Sequence, residues 1–145
     1  MKAMVLHWQF WAVLSASFAA LTAIFAKAGV DQIDPDLATF IRTVIIVIVL
    51  AAILIATGKF QPLHAIPQQA WLFLLLSGLA TGASWLCYFR ALKLGDAARV
   101  APIDKLSVVL VAVFATIFLG EQLSGPNWIG ILLIAGGAIL VAYRG

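Results

Sequence analysis

The stretch "VAPIDKLSVVLVAVFATIFLGE", Val100 to Glu121, decides how this chain is read. From Leu106 to Leu119 it carries no charge. Together with the residues before it, the run is long enough to cross a bilayer, whose hydrocarbon core takes roughly 20 residues of helix. Yet Asp104 and Lys105 stand side by side just ahead of the apolar run. Charges at that depth are costly and need a reason to be there.

The rest of the chain is of the same kind. Of its 145 residues, 64% are hydrophobic and only 10% charged, with a mean hydropathy of +1.10. A soluble domain carries about 25% charged residues, so lipid rather than water must cover most of this surface. The net charge of +3 comes from a few Lys and Arg near segment ends. That placement suits lipid headgroups and orientation signals, not a nucleic-acid-binding stripe. Cys87 is the single cysteine, which excludes an internal disulfide or a Cys-based metal site. His7 and His64 lie in separate segments without cysteines or paired carboxylates beside them, so no metal is expected. The chain has no Gly-rich phosphate loop and no nucleophile elbow, and it is read as a non-enzyme without a cofactor. The apolar stretch after Lys2 continues past Phe25, too long for the apolar core of a secretory signal.

Five segments qualify as spans: Trp8–Ala26, Leu37–Thr57, Trp71–Leu92, Val100–Leu119 and Trp128–Tyr143. The last is short, and either tilts little or begins earlier. Breakers fill the connections: Gly29 and Pro35, Gly58, Pro62 and Pro67, Gly95, then Gly120, Gly125 and Pro126. Each span is expected to be helical, because isolated strands leave backbone groups unpaired in lipid. That setting overrides the strand-like look of "VIIVIVLAAILI". The predicted class is an all-α integral membrane protein.

An odd number of spans puts the termini on opposite sides. One side then holds Lys27, Arg42, Arg90, Lys93, Arg99, Lys105 and Arg144; the other holds Lys2 and Lys59. The positive-inside rule makes the first side cytoplasmic, with the N-terminus outside. Trp8, Trp11, Trp71 and Trp128 all fall at the starts of odd-numbered spans, as an aromatic belt at the outer interface would place them. Trp85 lies inside the third span and needs another reason.

This layout gives Asp104 and Lys105 company. Arg42 is about six residues into the second span and the pair five or six into the fourth, roughly 8 Å below the helix starts. Lys27 and Arg90 end their spans at a similar level. Arg42, Asp104 and Lys105 are therefore read as one charge layer near the cytoplasmic interface. For Arg42 and Lys105 the plain reading is snorkelling. A lone Asp104 must be protonated, paired or wetted. Its neighbour Lys105 points about 100° away on a helix, so Arg42 is the expected partner. Pro102 is expected in the first turn of its helix, where its missing N–H costs nothing.

Small residues recur at helical spacing: Gly78 and Gly82, Ser77 and Thr81, Ala12, Ala16 and Ala20, then Gly130, Gly136 and Gly137. Close helix packing is the plain reading; widening a solute path is the alternative. Trp85 and Tyr88 share a face of the third helix, either as packing or as a cavity wall for an aromatic or cationic solute. With Asp104 and Lys105 they are the candidate substrate-path residues. Glu121 follows Gly120 at a helix C-terminus, where a carboxylate opposes the macrodipole. That points to a specific partner or a fixed turn, with a solvated loop residue as the plain alternative.

Four stretches carry a resemblance: "AALTAIFAKAGV", "LATFIRT", "GLATGASWLCYFRALKLGDAARVAPIDKLSVVLVAVFATIFLGEQLSG" and "GILLIAGGAILV". The chain resembles the drug/metabolite transporter superfamily, and within it the EamA-type domain. It is most similar to small bacterial and archaeal members with a single five-helix unit. The resemblance covers nearly the whole chain, and the third stretch is its most specific part. It implies that residues 1–145 form one domain, half of a ten-helix transporter built from two inverted repeats. It also implies that two chains assemble, either two copies in antiparallel orientation or this chain with a paralogous half. An odd helix count permits such a pairing. The charge bias favours one orientation, which a partner of opposite orientation would complement. The expected job is moving a small organic metabolite or drug-like solute across the inner membrane of a prokaryote. The alternatives are a non-transporting membrane subunit that stabilises or regulates a partner, and a lipid-linked sugar flippase subunit, as some relatives are.

The charge bias makes a direct prediction. Cysteines introduced near Lys2 and Arg144 in a Cys87→Ala background should react with an impermeant reagent from opposite faces, Arg144 on the cytoplasmic side. Labelling of both ends from both sides would instead show dual topology.

Overall fold

A computed structural model describes residues 7–143; Lys2 and Arg144 lie outside the described residues. Helix α1 is Trp8–Val30, α2 Pro35–Ala56 and α3 Gln68–Leu94, with a short 3-10 turn at Leu63–Ala65 before α3. Then come α4 at Ala97–Asp104, α5 at Ser107–Phe114, a π-helical turn at Ala115–Leu119, and α6 at Gly125–Ala142. No strand occurs among the described residues. Five stretches are long and apolar enough to span a bilayer, with α4, α5 and the π turn forming the fourth as Ala97–Leu119. The helices outrun the apolar segments by up to a turn because polar ends such as Lys27, Gln68 and Lys93 continue the hydrogen-bonded ladder. The fifth begins at Gly125 rather than Trp128, which resolves its apparent shortness.

Local chemistry fixes the ends. Asp34 caps α2: its Oδ1 accepts from the backbone N–H of Asp36 at 2.9 Å and of Leu37 at 3.2 Å. Pro35 follows at the position where a missing N–H is harmless. The other end of α2 closes on Gly58 at φ +63°. There Lys59 N–H donates to the Leu54 carbonyl at 3.1 Å and Gly58 N–H to that of Ile55 at 3.2 Å, the paired bonds of a left-handed helix stop. Gly120, at φ +68°, ends the π turn, and Glu121 N–H reaches back to the Ala115 carbonyl at 3.2 Å. So Glu121 follows a fixed turn, and its side chain is exposed.

Pro102 departs from the expectation. It lies inside α4, not in the first turn, because the helix starts at Ala97 rather than Val100. Its ring removes the N–H that would bond the Ala98 carbonyl. Within one turn the helix gives way: Lys105 N–H is shared between the carbonyls of Ala101 and Pro102, and Leu106 N–H bonds Ile103 at 3.0 Å. The helix resumes at Ser107.

The chain divides into two compact units. One runs from Ile24 to Lys93 and holds the end of α1 with α2 and α3. Its core is at the end where α1 and α3 stop and α2 starts: Val30 and Leu92 are fully buried and Phe89 nearly so, with Ala26, Ala38 and Thr39 around them. Two lysines tie this end together. Lys27 Nζ donates to the Leu92 carbonyl at 2.8 Å. Lys93 Nζ donates to those of Val30 at 2.8 Å, Asp31 at 3.0 Å and Ile33 at 3.3 Å. Each lysine thus caps the carbonyl end of the opposite helix, where the dipole is negative. Arg90 grips Asp36 with Nε at 3.1 Å and Nη2 at 2.7 Å, a two-point fork between α3 and the first turn of α2. The other unit joins the chain up to Ala23 with the chain from Leu94 on. In it α4 and α5 pack on α6, around Ala112 and Ala138.

Lys93→Met keeps the apolar stem and removes the donor to three carbonyls. It should lower stability by on the order of 1 kcal/mol, measured as a reduced thermal midpoint in detergent. Lys93→Arg should retain most of the midpoint.

Candidate functional site

The eighth residue of α2 is Arg42, about 10 Å along the helix from Pro35. The long stem does not have to run to the headgroups, because α3 offers an aromatic surface at the same level. The guanidinium carbon stands 3.9 Å over the centre of the Trp85 ring and 5.5 Å from that of Phe89. Trp85 and Phe89 are four apart on α3, one turn of helix, so their rings line one face. Tyr88 sits edge-on to Phe89 with ring centres 6.5 Å apart. Rings hold a cation through their negative faces, worth roughly 0.5–2 kcal/mol as solvent is removed. Trp85 is half-buried and Phe89 buried. Snorkelling is therefore replaced by a cross-helix cation–π contact, which also gives Trp85 the reason for its position inside a span.

Asp104 and Arg42, the expected pair, belong to different units, and each has a partner within its own. Asp104 Oδ2 receives Lys105 Nζ at 2.9 Å. The helical argument had set these neighbours apart. It fails because Lys105 stands beyond the last residue of the proline-broken α4, and its flexible stem folds back on the preceding side chain. Asp104 is half-buried and Lys105 exposed. The two charges thus mark the break in the fourth span and satisfy each other there.

A Cβ placed on Gly78, Gly82, Gly130, Gly136 or Gly137 meets no atom within 4 Å. Within its own unit, each of these glycines leaves room for a side chain. All residues from Trp71 to Thr81 on α3 are exposed, including Trp71, Leu72, Phe73, Leu74, Leu75, Leu76 and Leu79.

Sequence reasoning placed Lys27 and Arg90 at the level of the charge layer but missed what they bind. Asp36 had no role in that reading, and Lys93 entered only as a charge. The signal was present: the topology brings the ends of the first and third spans beside the start of the second, and Asp36 lies in that first turn. What sequence withholds is the pairing itself, since Arg90 and Asp36 are 54 residues apart.

The EamA-like transporter family model matches residues 6–143. The chain is 67% identical to an uncharacterized transporter in the cobO 3' region of Sinorhizobium sp, over 93% of this chain and 96% of the relative. It is 30% identical to the uncharacterized transporter YxxF of Bacillus subtilis, over 92% of this chain but 42% of that protein. An archaeal protein of Methanocaldococcus jannaschii is 28% identical, over 90% of this chain and 92% of its own length. No solved structure matches.

The Asp104–Lys105 contact is largely open, and such pairs contribute about 0–1 kcal/mol. A cycle of Asp104→Asn, Lys105→Gln and the double variant should give a coupling below about 1 kcal/mol by thermal unfolding. A coupling several times larger would show that the pair is shielded and organises the fourth span.

Proposed function

The chain belongs to the EamA-like transporter family, and from that premise we propose that it carries a small organic metabolite or drug-like solute across the inner membrane of a prokaryote. It does so as one half of a two-chain assembly. The observation that carries this reading is the match of the five-helix unit to 42% of the Bacillus relative, while 96% of the Sinorhizobium relative is covered. The relatives thus include a protein of about one such unit and one of more than twice that length. An odd number of spans lets two units of opposite orientation build an inverted repeat around a midplane path. The partner is a second copy or a paralogous half.

The open glycine faces and the fully exposed stretch of α3 support the need for a partner. Small residues associate helices in lipid only when another helix lies against them. The Arg42–Trp85 contact and the Asp104–Lys105 break supply polar groups at span depth, where a solute path needs them.

Purified protein in liposomes tests the transport reading: labelled metabolites from a chemical library should accumulate in protein-containing vesicles and not in empty ones. Folded protein that moves none of them, but binds a second membrane protein, would establish a non-transporting subunit. Movement of lipid-linked sugars alone would establish a flippase. Gly136→Leu with Gly137→Leu should weaken dimer crosslinking in membranes by several-fold, and an unchanged dimer would remove α6 from the interface.

A further inference from the structure

We infer that the Arg42 guanidinium, held on Trp85 and Phe89, is a docking point for the anionic oxygens of the solute, which makes that solute an organic anion with an apolar or planar body. This rests on the transport reading above. The argument begins with the charges of the unit Ile24–Lys93. Its carboxylates are Asp31, Asp34 and Asp36, and each is committed. Asp31 holds Lys27 at 3.1 Å, Asp34 caps α2, and Asp36 holds Arg90 at 2.7 Å. Lys93 is taken up by three carbonyls. Arg42 is instead laid on aromatic rings. The unit therefore holds a cation at span depth and matches it with no carboxylate of its own.

Ring faces hold a guanidinium without using up its donors. Five N–H groups lie in the plane of the fork, in the geometry that meets a carboxylate or phosphate at two points. A ring contact supplies a fraction of what a paired anion does in a water-poor setting. An arginine placed this way is pre-oriented, and ring contact leaves its in-plane donors unspent. The same contact decides the sign of the solute. The face of Trp85, which would otherwise suit a cationic guest, already carries a positive group. A second cation there meets repulsion that grows as water is excluded. The apolar body of an anion, in contrast, meets no such repulsion beside the half-buried Trp85 ring.

The same anionic oxygens occur on a phospholipid headgroup, and the experiment separates the two sources. Protein in a maltoside detergent, free of phosphate headgroups, is titrated with acetate, benzoate and phenyl phosphate, then with benzamide, benzyltrimethylammonium and short-chain phosphatidylglycerol, following the thermal midpoint. Benzoate or phenyl phosphate should raise the midpoint; benzamide and the ammonium should not. Arg42→Gln should weaken that apparent affinity roughly 10- to 100-fold, as loss of a charged hydrogen-bonded contact does. Arg42→Lys keeps the charge and loses the fork, and should fall between; it also serves if the Gln variant does not fold. No shift with any of the three anions, or a larger shift with the ammonium, overturns the inference. A response to phosphatidylglycerol alone overturns it in favour of a lipid contact. A response that emerges only in Asp104→Asn overturns it in favour of an internal counter-charge. In liposomes, uptake of neutral or cationic solutes with no dependence on Arg42 removes the anion site and leaves the transport reading standing. Arg42-dependent binding of benzoate with no uptake of any solute does the reverse.

Discussion

Hydrocarbon offers no hydrogen bonds, so every polar atom that enters it must find its partner in protein. That constraint shapes this chain down to single hydroxyls. Thr39 donates to the Pro35 carbonyl at 2.9 Å, Thr43 to Thr39 at 2.8 Å, Thr81 to Ser77 at 2.8 Å and Thr116 to Ala112 at 2.8 Å. Ser17 does the same to Val13 at 3.0 Å. Each returns its proton to its own helix, four residues back. In water the same hydroxyls would have solvent as an alternative. Among the described residues, no buried side-chain nitrogen or oxygen is left without a partner.

The constraint is hardest on helix ends, where four carbonyls or four N–H groups remain open. The unit from Ile24 to Lys93 meets it with charge. Asp34 covers the start of α2, while Lys27 and Lys93 cover the ends of α3 and α1. Those bonds gather at one level, and the buried side chains Val30, Phe89 and Leu92 gather there too. Packing and polar satisfaction thus reinforce each other in the same few turns. Toward the other end of the unit the helices expose their large apolar side chains, which is the condition of a surface meant for lipid or for another helix.

How much of this was legible in the sequence follows from the same physics. The spans were readable because length and hydropathy are properties of a contiguous stretch. The helix stops at Gly58 and Gly120 were also local, since a glycine after an apolar run has few other uses. Pro102 was misjudged by three residues of helix start, and that moved it from a harmless position to a disruptive one. The partners of Arg42, Arg90, Lys27 and Lys93 were not readable. Each depends on which faces of two helices meet, and a pattern of mean hydropathy that is apolar all round gives no face. The contact of Lys105 with Asp104 was missed because a rule for unbroken helices does not hold beyond Pro102.

The two lysines that bind carbonyls across the unit have a consequence in time. Lys27 and the Leu92 carbonyl are 65 residues apart, and Lys93 and the Val30 carbonyl 63. A nascent chain that has delivered α1 and α2 still has an open carbonyl end on α1. The N–H groups of Asp31 and Gln32 cover the Lys27 and Gly29 carbonyls, but the donor to Val30 and Asp31 is the last residue of the unit. Those carbonyls gain their lysine donor only once α3 has been synthesised almost to its end. The first two spans thus complete their polar contacts at this end last, when the end of the third is made.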